Sequence, residues 1–335
     1  MDVFALTRAF IDIESITGNE LAIGHYFYDY LKPLADKYGG EIERIEVEKD
    51  RYNVYVRWGT PEIVFSTHID TVPPFIPSTE DEEFVWGRGA CDTKGISASM
   101  IKAAEALLEE GVRDFAMLFV VGEEIDGLGA HFANRNSPGP KYLINGEPTE
   151  NQLALGSKGN LRIEMEASGK MAHSAYPELG EHAIDKLLDN LERLRRLELP
   201  VDPVLGDSTC SIGLISGGRA GNIIPDQASA TVVVRVVTDM DEAIKQIDAV
   251  FDDRVTVTYP VQTHAIRMKE VPGFKTTVVK YTTDIPKLSN WGQPLLLGPG
   301  TIAVAHTSEE RVPKKQLTEA VELYRNLVKQ LKTDN

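Results

Sequence analysis

Three short apolar runs in this chain end in groups that can carry chemistry: STHID at 66–70, VGEEID at 121–126 and INGEP at 144–148. The middle run, 115–121, is apolar without a break. A strand with one wet face alternates apolar and polar residues, so an unbroken run marks a strand covered on both faces, the habit of a parallel sheet flanked by helices. Strand patterns at 53–58, 62–67, 115–121 and 142–144 are interleaved with helical spacing. That spacing shows in Val3, Leu6, Phe10 and Ile13, in a segment running from the start signal Thr17-Gly18-Asn19-Glu20 through Leu31, and in Ile96, Met100, Ile101, Ala104, Leu107 and Leu108. The pattern predicts an α/β domain with a mixed, mostly parallel sheet between helices. Ligands bind such sheets beyond the C-terminal ends of the strands. Acids and a histidine delivered to that edge suggest a metal site that hydrolyses something.

Past Gly159 the periodicity changes. Leu161, Ile163, Met165 and Ala167 alternate, and a helix follows through Ala183, Leu187, Leu191 and Leu194. Strands at 209–215 and 228–237, a helix at Ala243, Ile244, Ile247 and Val250, and a strand at 255–259 complete the order β-α-β-β-α-β, the ferredoxin-like unit. With 335 residues, the chain exceeds one ordinary core. We therefore expect a discontinuous α/β domain, 1–157 and 267–335, with a second domain inserted at 158–266. A final amphipathic helix carries Leu317, Ala320, Val321, Tyr324, Leu327, Val328 and Leu331.

A net charge of −16 argues against a nucleic-acid or anionic-membrane surface. No apolar run reaches the length of a membrane span. The N-terminus lacks the basic start of a signal peptide. Cys91 and Cys210 are the only two cysteines and form no disulfide framework, so a reducing cytoplasm is the expected compartment.

Each motif admits two readings. His68-x-Asp70 is a metal-ligating imidazole oriented by a carboxylate, or an ordinary strand end. Asp92, in GRGACDTKG, is a carboxylate able to bridge two metals, or a helix N-cap; its neighbour Cys91 reads as a small buried thiol. Adjacent Glu123 and Glu124 repel unless a cation or proton compensates. One could ligate while the other moves a water proton, or both could sit in a solvated turn. Glu147 and His306 are further possible ligands. In the inserted unit, His173 could hold an oxyanion, and Arg219 and Asn222 of a glycine-rich loop could face a carboxylate. Arg235, odd in an apolar strand, could meet a substrate carboxylate or solvent. No GxGxxG follows the first strand, which disfavours a dinucleotide-binding dehydrogenase.

Together HxDTVP, GRGxCDxKG, GEE, GEP, AHSxxP, GNxIPD and AHT resemble the dinuclear zinc deacylases and exopeptidases, a family that includes acetylornithine deacetylase, succinyl-diaminopimelate desuccinylase, aminoacylase and glutamate carboxypeptidase. The likeness runs from Ser15 to Glu310. It implies one Zn²⁺ on Asp92, Glu124 and His306 and a second on His68, Asp92 and Glu147, with Co²⁺ or Mn²⁺ able to substitute. It also implies Glu123 as general base, Asp70 orienting His68, and His173 polarising the scissile carbonyl. Asn222 and Arg235, with Lys158, match positions that contact substrate. The resemblance makes the discontinuous domain catalytic and the inserted one a lid or dimerisation domain, and it implies a cis peptide after Asp92 and a homodimer formed through the lid. Glutamate at 147 resembles aminoacylases, deacetylases and carboxypeptidases, where aminopeptidases carry aspartate. Thr301 stands where relatives often have aspartate. The expected activity is hydrolysis of an N-acyl amino acid in the manner of acetylornithine deacetylase. A dipeptidase or carboxypeptidase is the alternative within the family, and a non-catalytic metal- or peptide-binding protein the alternative outside it.

Overall fold

The computed structural model describes residues 1–333. Two compact units emerge: Met1–Leu155 with Met268–Thr277 and the chain from Thr283 on, and Gly156–Arg267 with Val278–Thr282. The short return segment 278–282 groups with the second unit, where the Lys158 N–H donates to the Val279 carbonyl at 3.2 Å.

In the first unit a six-stranded sheet runs, in spatial order, Glu41–Glu48, Arg51–Trp58, Phe115–Val120, Ile63–His68, Tyr142–Asn145 and Gln293–Leu296. The last four strands are mutually parallel, and the first two form an antiparallel edge. The unbroken apolar run has its explanation in two cores. Phe115, Met117 and Phe119 pack into one, while Ala116, Leu118 and Val120 pack into the other on the opposite face. Removing such a side chain from water is worth roughly 1.5–3 kcal/mol each, so neither face of this strand can turn to solvent.

Helices Val3–Ile11, Leu21–Tyr38, Gly95–Glu109 and Lys314–Thr333 bury their apolar stripes in the larger core. The second of these outruns the Leu31 end expected from sequence. It carries Pro33 internally and stops at Gly39, whose φ of 67° gives a left-handed cap. Two strands of the six-stranded sheet escaped sequence reading. Glu41–Glu48 is a mostly exposed, acid-rich edge strand broken by a register shift, which blurs its alternation. Gln293–Leu296 is short and holds Pro294, which suits its place at the opposite edge.

In the second unit the elements follow the order strand Gly159–Ser168, helix Ala183–Arg196, strands Thr209–Gly217 and Gln227–Val236, helix Met240–Asp248, strand Val255–Thr263. All strand pairings are antiparallel, in the spatial order second, third, first, fourth. One core fills the space under the helices, from Leu161, Ile163 and Met165 to Leu187, Leu191 and Ile247. No helix among the described residues is long and apolar enough to cross a membrane.

Candidate metal centre

His68 closes the Ile63–His68 strand at the C-terminal edge of the parallel sheet, and its side chain is buried. Asp92 lies in the turn before the Gly95–Glu109 helix, with φ −126° and ψ 83°. Lys94 occupies that helix's N-cap position, so Asp92 does not cap it. Its carboxylate is divided instead between two imidazoles. Oδ1 lies 3.0 Å from His68 Nε2, and Oδ2 lies 3.2 Å from His306 Nε2. His306 Nε2 is also 3.0 Å from Glu124 Oε2. Donor atoms of His68, Asp92 and Glu124 all fall within 4.8 Å of one another. Glu147, just past the Tyr142–Asn145 strand, is buried where it feels the charges of His68, Asp92 and Glu123.

Asp70 has a wider part than expected. The His68 ring meets its backbone carbonyl first, Nδ1 to O at 3.0 Å, and its carboxylate only at 3.5 Å. That carboxylate accepts the backbone N–H groups of Glu123 and Glu124 at 3.1 and 3.2 Å and the Thr17 hydroxyl at 2.8 Å. It therefore holds the GEE turn itself. Gly122, at φ 80°, supplies the left-handed residue that lets the chain turn there. Two threonines knit the segments from behind. Thr93 donates to the His68 carbonyl at 2.7 Å, and Thr67 donates to the Gly146 carbonyl at 2.8 Å. The Asp92–Thr93 peptide is cis, as the resemblance implied. Cys91 is buried, with Sγ 3.7 Å from the Thr301 carbonyl and from Glu310 Oε1.

The electrostatics are those of excess negative charge. Hydrogen bonds to Asp92 and then Glu124 push His306 up to about 10. Burial works against a proton on His68, yet bonds to Asp70 and Asp92 hold it well above the usual imidazole range. Burial would raise Asp92, but His306 and His68 keep it below the ordinary carboxylate range. Burial pushes Glu123 up to about 8, with the Asp284 charge the next cause, and raises Glu147 strongly. Glu124 Oε1 is buried without a hydrogen-bond partner among the described residues. A pair of imidazoles among crowded carboxylates, one of them offering an oxygen in each of two directions, fits a pair of divalent cations.

Asp284 was not singled out by sequence. It is buried, it is raised by burial to about 6, and its Oδ1, without a hydrogen bond among the described residues, lies 3.7 Å from Lys287 Nζ. An acid in a loop before Ile-Pro carries no local signal of this. Arg88 and Glu310 were likewise given no role.

The second unit places the remaining candidates. Ala175 N–H donates to His173 Nδ1 at 3.1 Å, and Ser174 N–H donates to the Asn222 carbonyl at 3.0 Å, so the His173 and Asn222 loops lie side by side. Arg219 pairs with Asp226 at 3.3 Å, and Lys158 Nζ donates to the Asp207 carbonyl at 2.5 Å. Arg235 is half-buried in the Gln227–Val236 strand, opposite Asn160 and Thr209, with no acid paired to it among the described residues.

Residues 64–330 match the sequence pattern of Peptidase family M20/M25/M40. The chain belongs to this family. A peptidase M20 domain-containing protein of Schizosaccharomyces pombe is 37% identical over 98% of this chain and 84% of its own length. A probable carboxypeptidase of Aspergillus fumigatus is 35% identical over 96% of this chain and 84% of its own. The crystal structure of aminopeptidase PepT from Bacillus cereus superposes with a TM-score of 0.81 over 98% of both chains at 18% identity, a likeness of fold. Membership of M20/M25/M40 makes the protein a metal-dependent hydrolase, a metallopeptidase.

Proposed function

We propose that this M20 protein is a two-zinc exopeptidase of carboxypeptidase or dipeptidase type, cleaving the amide bond next to an amino acid with a free α-carboxylate. The observation that carries the reading is Asp92, whose two carboxylate oxygens face His68 and His306 separately. His68, Asp92 and Glu147 would hold one ion, and Asp92, Glu124 and His306 the other. Bound there, the pair would polarise the scissile carbonyl and acidify a water. Glu123 takes the proton from the attacking water and returns it to the departing nitrogen as the C–N bond breaks. Burial raises its carboxyl toward the range where one group can do both near neutral pH. Asp70 fixes the Glu123 backbone for that transfer. His173 keeps the oxyanion role the resemblance gives it. Arg235, half-buried and without an acid partner among the described residues, is the candidate for the substrate carboxylate.

The carboxypeptidase reading is supported by Glu147 and by the name of the Aspergillus fumigatus relative. Glu147 equally favours the second reading, deacylation of an N-acyl amino acid such as acetylornithine. The test is a panel with zinc, cobalt or manganese supplied: dipeptides and N-blocked peptides with free or amidated C-termini, and N-acetyl amino acids. Free-carboxylate peptides are expected to be cleaved and their amides spared. Preference for acetylornithine over every peptide would establish the second reading, and cleavage of amidated peptides dependent on a free amine would refute both.

We also propose that the second unit pairs with a second copy of the chain. Its strand Thr209–Gly217 lies at a sheet edge and exposes Leu214 at 67% and Ile215 at 55%.

A further inference from the structure

Glu310 lies shortly after His306 in sequence and is buried, yet the chemistry above leaves it without a task. Its carboxylate works in two directions. Oε1 accepts the backbone N–H of Gly89 at 2.9 Å and that of Asp92 at 3.3 Å. Oε2 receives Arg88 Nη1 at 2.5 Å. Arg88, also buried, donates from Nη1 to the Thr307 carbonyl at 3.2 Å and from Nε to the Pro74 carbonyl at 3.3 Å. One buried ion pair thus grips the backbone of two turns: the one that presents Asp92 and the one that presents His306.

Both turns need holding. Asp92 and Thr93 leave helical geometry just before a helix begins. His306 sits at φ 63°, a left-handed conformation uncommon for a residue with a β-carbon. A buried ion pair is a poor way to gain stability, because desolvation offsets most of the attraction. What it does supply is direction: a guanidinium and a carboxylate, each with several fixed partners, define the distance between the segments they bind.

We propose that Arg88 and Glu310 are a positioning clamp for the metal site. By setting Asp92 Oδ2 and His306 Nε2 at the 3.2 Å seen here, the pair fixes the affinity for the ion those two atoms share. The inference rests on the two-metal reading above. Neither residue touches the metal or the substrate; both act through Asp92 and His306.

The test is zinc titration of the full chain after chelation, following affinity and stoichiometry alongside the thermal midpoint and the kcat and KM of the reloaded enzyme. Glu310→Gln keeps the shape but loses the charge, and Arg88→Lys keeps the charge but loses the fork. Both are expected to weaken one of the two zincs, the one shared by Asp92 and His306, roughly ten- to hundredfold, the usual effect of removing a group that orients a ligand. They should lower kcat with little change in KM. Leu31→Ala, a core truncation in the Leu21–Tyr38 helix, is the control for lost stability alone and should keep wild-type zinc affinity. If Glu310→Gln does not fold, Arg88→Lys decides. Wild-type zinc affinity in the folded clamp variants overturns the proposal, as does an equal loss in Leu31→Ala. A wild-type chain that takes up no zinc overturns both the clamp and the reading beneath it, whereas normal wild-type uptake with unperturbed variants sinks the clamp alone.

Discussion

Asp92, Glu123, Glu124, Glu147 and Asp284 crowd negative charge against two imidazoles, and each side chain answers in its own way. Asp92 stays ionised because it has His306 and His68 to bind, while Glu123, with burial and the Asp284 charge against it, rises to about 8. That contrast suits Asp92 to hold metal and Glu123 to exchange a proton, whereas Glu147, also raised by burial, owes its ligand part to the resemblance. Glu123→Gln is therefore expected to lower kcat by about 10²–10⁴, the range for losing a general base, while metal content stays at the wild-type level. Metal analysis beside a turnover assay checks this, and parallel loss of metal and activity would make Glu123 a ligand. The adjacency of Glu123 and Glu124 was visible in sequence and the resemblance implied their division of labour, but the two residues by themselves left it open. It depends on which carboxylate meets His306, and that contact joins distant parts of the chain.

Among the elements, the strands written most directly in the sequence are those whose side chains meet two cores or alternate between core and solvent, since both patterns lie in consecutive residues. Phe115–Val120 is the first kind and Gly159–Ser168 the second, with burial alternating along its length. In the second unit, the helix Ala183–Arg196 is fastened to the loop before the last strand through Asp252. That carboxylate receives Arg254 Nε at 2.9 Å, Asn190 Nδ2 at 3.0 Å and Arg193 Nη1 at 2.8 Å. Arg254 first, then Asn190, holds Asp252 below the usual carboxylate range. A depressed acid contributes stability that is present above its unfolded value, about 3.9 for aspartate, and lost as pH falls through its folded value. Asp252→Asn should lower the urea midpoint near neutral pH, with the gap from wild type closing progressively below about pH 4. A gap that stays constant across that range would assign the effect to shape rather than charge.

For the molecule as a whole, the edge strand Thr209–Gly217 raises the question of a second copy. An exposed apolar edge invites another strand, and a lysine there discourages it. Leu214→Lys is accordingly expected to turn a dimer into a monomer in sedimentation velocity while leaving the thermal midpoint of the folded unit little changed. A wild-type chain that sediments as a monomer would dispose of the pairing. By itself, the sequence determined the α/β character of the first unit, the strand and helix order of the second, and the sheet edge at which His68, Glu123, Glu124 and Glu147 emerge. Hydrophobic period and turn residues are local, and a strand's end follows from where its apolar run stops. Only the tertiary structure decided which atoms meet. It turned the two oxygens of Asp92 toward different histidines, gave the Asp70 carboxylate to the GEE turn, and brought the charge of Asp284 to bear on the base. It also joined Arg88 to Glu310, because a buried charge finds its partner through the packing of segments remote in the chain, and no neighbouring residue records that choice.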